Sequence, residues 1–139
     1  MNAVTYPKGT VKALSRSLRI YHGDKQRHAA MDQLYGAFLA PGDLAFDIGA
    51  HVGDRISSFR RLGARVVALE PQPGPARVIR LIHRRDPLVT LVEAACGDHE
   101  GSIALRINSK NPTVSTASAA FIGAAAGAGS LDRARGRHR

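Results

Sequence analysis

The chain has 139 residues, 44% of them hydrophobic, with no tryptophan and a single cysteine, Cys96. A chain of this length buries about two thirds of its unfolded surface around one core, which predicts one domain, and the lone cysteine excludes an intramolecular disulfide and fits a reducing, cytoplasmic setting. The formal net charge of +9 is spread evenly, with six basic and three acidic groups in residues 1–43, ten and seven in 44–120, and four and one in 121–139; without a basic stripe, and with few aromatics to stack on bases, specific nucleic-acid recognition is not expected.

In chain order, Met1 to Lys8 lacks the apolar centre of a signal peptide, and no later run approaches the roughly 18 apolar residues of a membrane span. Residues 1–23 show no strong periodicity, although Val11, Leu14, Leu18 and Ile20 can form a short packing element. From Lys25 to Leu39 the spacing of Met31, Leu34 and Phe38 predicts an amphipathic helix, stopped by Pro41-Gly42. A first strand is predicted at Leu44–Ile48, then a helix over Asp54–Leu62 with Ile56 and Phe59 inward and Gly63 as terminator. Arg65–Leu69 reads as the second strand. Pro75 opens a helix that continues through Val78, Ile79 and Ile82, with Arg77, Arg80, Arg84 and Arg85 on a solvated face, and Val89–Ala94 is the third strand. Beyond the turn chemistry of Gly97 to Gly101, Ser102–Ile107 alternates like an edge strand. Asn108–Ser118 is polar, Ala119–Gly129 is an Ala/Gly tract, and the last eight residues are densely basic.

The chemistry concentrates where the first strand meets Gly49-Ala50-His51-Val52-Gly53. Gly49 and Gly53 allow a sharp turn and close backbone approach to a ligand, and neither is expected to accept a side chain without loss of ligand binding. Asp47 places a carboxylate at the strand end, where it repels phosphate and welcomes a cation. Glu70 ends the second strand, 17 residues beyond Gly53, at the position from which an acid accepts hydrogen bonds from ribose hydroxyls. S-adenosylmethionine has an ammonium, a sulfonium, a ribose diol and an adenine, and no phosphate. It fits two acids around a glycine turn. Asp54 reads as a charge or cap at the helix start. A lone His51 is more often structural than a ligand contact, and no metal site is expected because nothing with ligand spacing accompanies it.

The segments Asp47-Ile-Gly-Ala-His-Val-Gly53, Leu69-Glu70-Pro-Gln-Pro73 and Ala94-Ala-Cys-Gly97-Asp98-His-Glu-Gly101 resemble the class I S-adenosylmethionine-dependent methyltransferases, in particular the FkbM type, over roughly residues 20–120. The resemblance implies an α/β fold, a Rossmann-like sheet with helices on both faces, here incomplete at the C-terminus. It divides the chain into a helical lead-in (1–43), a cofactor-binding half (44–118) and an Ala/Gly- and Arg-rich disordered tail (119–139). It implies methyl transfer from S-adenosylmethionine to an oxygen of a small-molecule or glycan acceptor, with Asp47, Gly49, Ala50, His51, Gly53 and Glu70 on the cofactor. Ala95, Cys96 and Asp98 would line the adenine pocket, and Asn111, Ser115 and Thr116 would lie near the cleft.

The later Asp-x-Glu-Gly segment of the family does not follow residue 101. The expectation is therefore a truncated, inactive N-terminal portion whose first strand is left with an apolar edge. A nicotinamide-dependent Rossmann oxidoreductase is the alternative enzyme class, opposed by the missing three-glycine spacing. A non-catalytic fragment that binds the cofactor is the third.

Overall fold

The structure is a computed structural model that describes residues 9–98 together with 100, 101, 105 and 107. Most of the edge strand expected at 102–107, the polar residues Asn111, Ser115 and Thr116, and the tail from Ala119 lie outside the described residues. The elements are α1 (Thr10–His22), α2 (Lys25–Gly36), β1 (Leu44–Ile48), α3 (Asp54–Arg61), β2 (Arg65–Leu69), α4 (Pro73–Ile82) and β3 (Val89–Val92). The strands form one parallel sheet in the order β1-β2-β3, with Ala45 opposite Val66, Asp47 opposite Ala68 and Ala68 opposite Leu91. This is the βαβαβ half of a doubly wound α/β fold.

Because the strand order runs one way from β1, both crossover helices lie on the same face of the sheet. Ile56 and Phe59 of α3 and Ile79 of α4 pack there against Ala45, Val66 and Ala68, with Val89 and Leu91 partly buried beside them. The alanines of β1 and β2 let the helices sit close. Helices on the second face of such a sheet belong to crossovers that leave β1 in the opposite direction, and none begins within the described residues. On that face Leu44, Phe46 and Ile48 are 45%, 60% and 52% exposed.

The two N-terminal helices differ from their expected packing. In α1 the buried residues are Thr10, Ala13 and Ser17, whereas Val11 and Ile20 face out. In α2, which ends at Gly36 and not at the expected Leu39, no residue is fully buried, and Leu34 on it and Phe38 beyond it, both expected inside, are exposed. Polar bonds and one ring contact hold this helix instead. Asp24 caps it by accepting from the backbone N–H groups of Gln26 and Arg27. Asp32 accepts from Arg61 at 2.7 and 2.8 Å and from the Ser58 hydroxyl, and Tyr35 meets Phe59 edge-on at 4.9 Å.

Candidate functional site

The strand-to-helix turn after β1 carries three residues in the left-handed region, Gly49 (φ +72°), His51 (φ +51°) and Gly53 (φ +79°). For His51 that conformation is strained, at a cost of about 1–2 kcal/mol. The surrounding bonds hold it. The N–H groups of Gly49 and Ala50 both donate to the Leu69 carbonyl, at 2.9 and 3.0 Å, which ties the turn to β2. Glu70, the next residue, is buried, and its carboxylate accepts from the His51 N–H and the Gln72 N–H, each at 2.8 Å. The expected ribose acceptor is thus also the clasp of the glycine turn.

Helix α1 supplies the outer support, which the sequence did not disclose. His51 Nε2 shares a 3.2 Å hydrogen bond with the Ser17 hydroxyl, and Tyr21 sets its ring edge-on to the His51 ring at 5.6 Å. His22 Nε2 donates to the Val52 carbonyl at 2.7 Å. From the start of α2, Arg27 donates to Asp54 at 3.0 Å and lies 5.0 Å over the Tyr21 ring. Asp54 therefore opens α3 as the expected N-terminal charge, paired as well with this arginine.

Asp47 lies beneath the turn, 3% exposed. Its Oδ1 accepts from Arg55 Nε at 2.8 Å, while Oδ2 has no partner among the described residues. Arg55 Nη2 also donates to the Gly49 carbonyl, at 2.9 Å. Burial pushes the Asp47 carboxyl above its ordinary range, and the Arg55 charge opposes that shift. Burial likewise raises Glu70, against the pull of its two backbone bonds, and lowers His51, whose Nδ1 has no partner.

Above these groups lies a cavity of about 360 Å³ lined by Tyr21, Arg27, Gly49, His51, Asp54, Arg55, Glu70, Pro71, Gln72 and Leu105, within the roughly 300–1,000 Å³ of small-molecule sites. It sits at the carboxyl ends of β1 and β2, where open parallel sheets bind ligands. Of the sequence-expected residues, Gly49, His51 and Glu70 reach its wall. Asp47 stands behind Arg55, and Ala50 and Gly53 are buried under the turn. Ala95, Cys96 and Asp98 are exposed past β3 and are not brought to the cavity, whose wall the chain reaches again at Leu105. Tyr21, Arg27 and Arg55 are on the wall without having been expected there. Among the described residues no group of His, Cys, Asp or Glu is arranged to hold a metal, and no helix is long and apolar enough to cross a membrane.

No protein-family profile matches the sequence, and no curated protein does. Among solved structures the chain is similar to a precorrin-6y C5,15-methyltransferase from Geobacter metallireducens, at 27% identity and a TM-score of 0.44, over 51% of this chain and 39% of that one. It is also similar to a methyltransferase from Geobacter sulfurreducens (19% identity, TM-score 0.45, 67% of this chain and 51% of that one). A third similar structure is the 1,6-didemethyltoxoflavin-N1-methyltransferase of Burkholderia thailandensis with bound 1,6-didemethyltoxoflavin and S-adenosylhomocysteine (22% identity, TM-score 0.41, 73% of this chain and 48% of that one). The chain spans between 39% and 51% of the length of these three proteins.

Proposed function

We propose that this chain carries the donor-binding half of an S-adenosylmethionine-dependent methyltransferase of FkbM type, acting on a hydroxyl of a small molecule or glycan. One observation carries the reading: a left-handed glycine turn at the end of β1, clasped by the acid that ends β2, opens onto a strand-end cavity with a second buried acid beneath it. The residues fit the donor. Asp47 Oδ2 is a buried carboxylate oxygen without a partner, suited to a ligand ammonium, and the Gly49 carbonyl beside it is a second acceptor. A Cβ at Gly49 would meet nothing within 4 Å, so the backbone there borders open space into which a ligand can press. Glu70 accepts from the backbone N–H groups of His51 and Gln72 and from the Gln72 side chain, and a carboxylate with about four acceptor sites has one left for a ribose hydroxyl.

When bound, the donor supplies an electrophilic methyl group on a sulfonium centre. The chain's part is alignment. Asp47 and Gly49 would hold one end of the donor and Glu70 its ribose, and the turn keeps these acceptors at a fixed separation, which is what alignment of an acceptor oxygen with the methyl group would require. His51 stays neutral near pH 7 because burial lowers it, and it holds the turn through Ser17 rather than adding charge.

The guanidinium groups of Arg27 and Arg55 on the wall favour the alternative, a nicotinamide dinucleotide held by its phosphates. Both are engaged with Asp54 and Asp47, which weakens that reading. Calorimetric titration with S-adenosylhomocysteine and with NAD separates the two. The methyl-donor reading expects S-adenosylhomocysteine to bind and Asp47→Ala or Glu70→Ala to weaken it about tenfold or more, the loss of a charge-assisted bond being worth about 1.5–3 kcal/mol. Preferential binding of NAD, or unchanged affinity in both variants, overturns it.

A further inference from the structure

Arg55 stands where a ligand's cation would have to stand. Its Nε donates to Asp47 Oδ1 at 2.8 Å and its Nη2 donates to the Gly49 carbonyl at 2.9 Å, so one guanidinium spans the strand-end carboxylate and the first carbonyl of the turn. The Asp47 side chain is 2% exposed and that of Arg55 38%; Asp47 is covered and Arg55 is on the cavity wall. A primary ammonium drawn to the open Asp47 Oδ2 and the Gly49 carbonyl would sit directly against this guanidinium. Two like charges at that range repel, so each disfavours the other.

We infer that Arg55 is a built-in competitor for the amino-acid end of the donor: it keeps the buried Asp47 paired, and it must swing outward when a ligand ammonium takes its place. The inference rests on the methyl-donor reading of the cavity. Three features support it. Without a cation, Asp47 would be a buried carboxylate with no partner among the described side chains, a costly arrangement that a resident guanidinium relieves. Arg55 leaves the first turn of α3, two residues past Gly53, on a long aliphatic stem that already reaches solvent, so the swing needs side-chain rotation and no backbone change. The exchange is of one cation for another, so the charge beside Asp47 is conserved throughout.

A competitor of this kind lowers apparent affinity by the fraction of molecules in which the subsite is open. The reduction falls only on ligands that carry the ammonium. S-adenosylhomocysteine has the amino-acid end and 5′-methylthioadenosine lacks it, while both present the same ribose and adenine. The ratio of their affinities therefore reports Arg55 directly, whatever the variant does to the rest of the cavity.

The test is calorimetric titration of the full chain, of Arg55→Met and of Arg55→Lys with both nucleosides, with circular dichroism to confirm folding. Arg55→Met is expected to raise the preference for S-adenosylhomocysteine over 5′-methylthioadenosine by about tenfold or more. Arg55→Lys guards against a folding failure of the methionine variant. Lysine keeps a cation for Asp47 without the planar fork that reaches Gly49 at the same time, and is expected to raise the preference by a smaller factor, about threefold. An unchanged preference in the folded variants overturns the inference and leaves the donor site standing. A reduced preference overturns it too, and identifies Arg55 as a clamp for the ligand's carboxylate. If neither nucleoside binds any of the three proteins, the donor-site reading fails and the competitor with it.

Discussion

Gly49 and Gly53 share a left-handed backbone, yet the space around them differs, and replacing each by alanine separates ligand contact from packing. At both positions an L-residue costs about 1–2 kcal/mol in backbone strain. A Cβ at Gly49 would meet nothing within 4 Å among the described residues, and Gly49 lines the cavity. A Cβ at Gly53 would come within 3.2 Å of Ile79 Cγ1 and 3.3 Å of Ile56 Cδ1, and both side chains are fully buried with little room to yield. Overpacking of that kind adds about 1–3 kcal/mol. Gly49→Ala should therefore lose about 1–2 kcal/mol of stability and Gly53→Ala about 2–5 kcal/mol, read as urea midpoints at unchanged slope. Binding should follow the opposite order: Gly49→Ala weakens S-adenosylhomocysteine about tenfold or more, whereas folded Gly53→Ala retains most of its affinity. The expectation that both glycines serve the ligand alike is thereby divided into a steric role and a packing role. Equal stability losses, or a binding loss confined to Gly53→Ala, would refute the assignment.

Glu70→Gln leaves one of the two N–H donors, of His51 or Gln72, facing an amide N–H in place of an oxygen, and should cost about 1–3 kcal/mol by urea denaturation together with weaker nucleoside binding. Acidification acts on His51 and His83, which burial holds below their usual value of 6.5: the unfolded chain binds more protons than the folded one below that pH, so stability present above 6.5 is lost as pH falls from 7.5 to 5.5. Asp47 and Glu70, raised by burial, act with the opposite sign and favour the folded state as pH falls toward the carboxylate range. The difference between the wild type and a His51→Asn/His83→Asn chain isolates the histidines, and a double variant with the same pH slope as the wild type would refute their role. Phe46→Ser, on the uncovered face of β1, should change stability by no more than about 0.5 kcal/mol while reducing self-association seen by light scattering. A loss of about 2 kcal/mol or more would show that Phe46 is packed.

The strands were legible because buried parallel strands are written as short apolar runs bounded by turn residues. Leu44–Ile48 and Arg65–Leu69 have the bounds that the sequence predicts, and the third strand is only shorter at its end. The glycine turn was legible for a similar reason, since its glycines and flanking acids are local. Helix α1 was not, because it buries Thr10, Ala13 and Ser17, small and polar residues that leave no apolar stripe. The inward face of α2 was misread because the apolar spacing picks out Leu34, which is exposed, and Phe38, which lies past the helix end at Gly36, whereas Asp32 and Tyr35 make its contacts with α3. Arg55 escaped notice for another reason. Its pairing with Asp47 spans eight residues across a strand end and a turn, a distance that no helical or strand period brings together.

These differences share a physical origin in the strain of the turn. A histidine at φ +51° between two left-handed glycines is not a conformation that local sequence can hold alone. Its N–H is fixed by Glu70 from β2, its ring by Ser17 and Tyr21 from α1, and the carbonyl of the following Val52 by His22. Ser17, Tyr21 and His22, from the segment that reads as a lead-in, thus supply part of the framework on which the strand-end acids are displayed. Arg27 extends that framework to Asp54 at the start of α3. The polar face of α1 follows from this task. A helix that packs onto a turn rich in exposed backbone groups must offer hydroxyls and imidazoles in place of leucines, because unpaired buried N–H and carbonyl groups cost more than apolar contact would return.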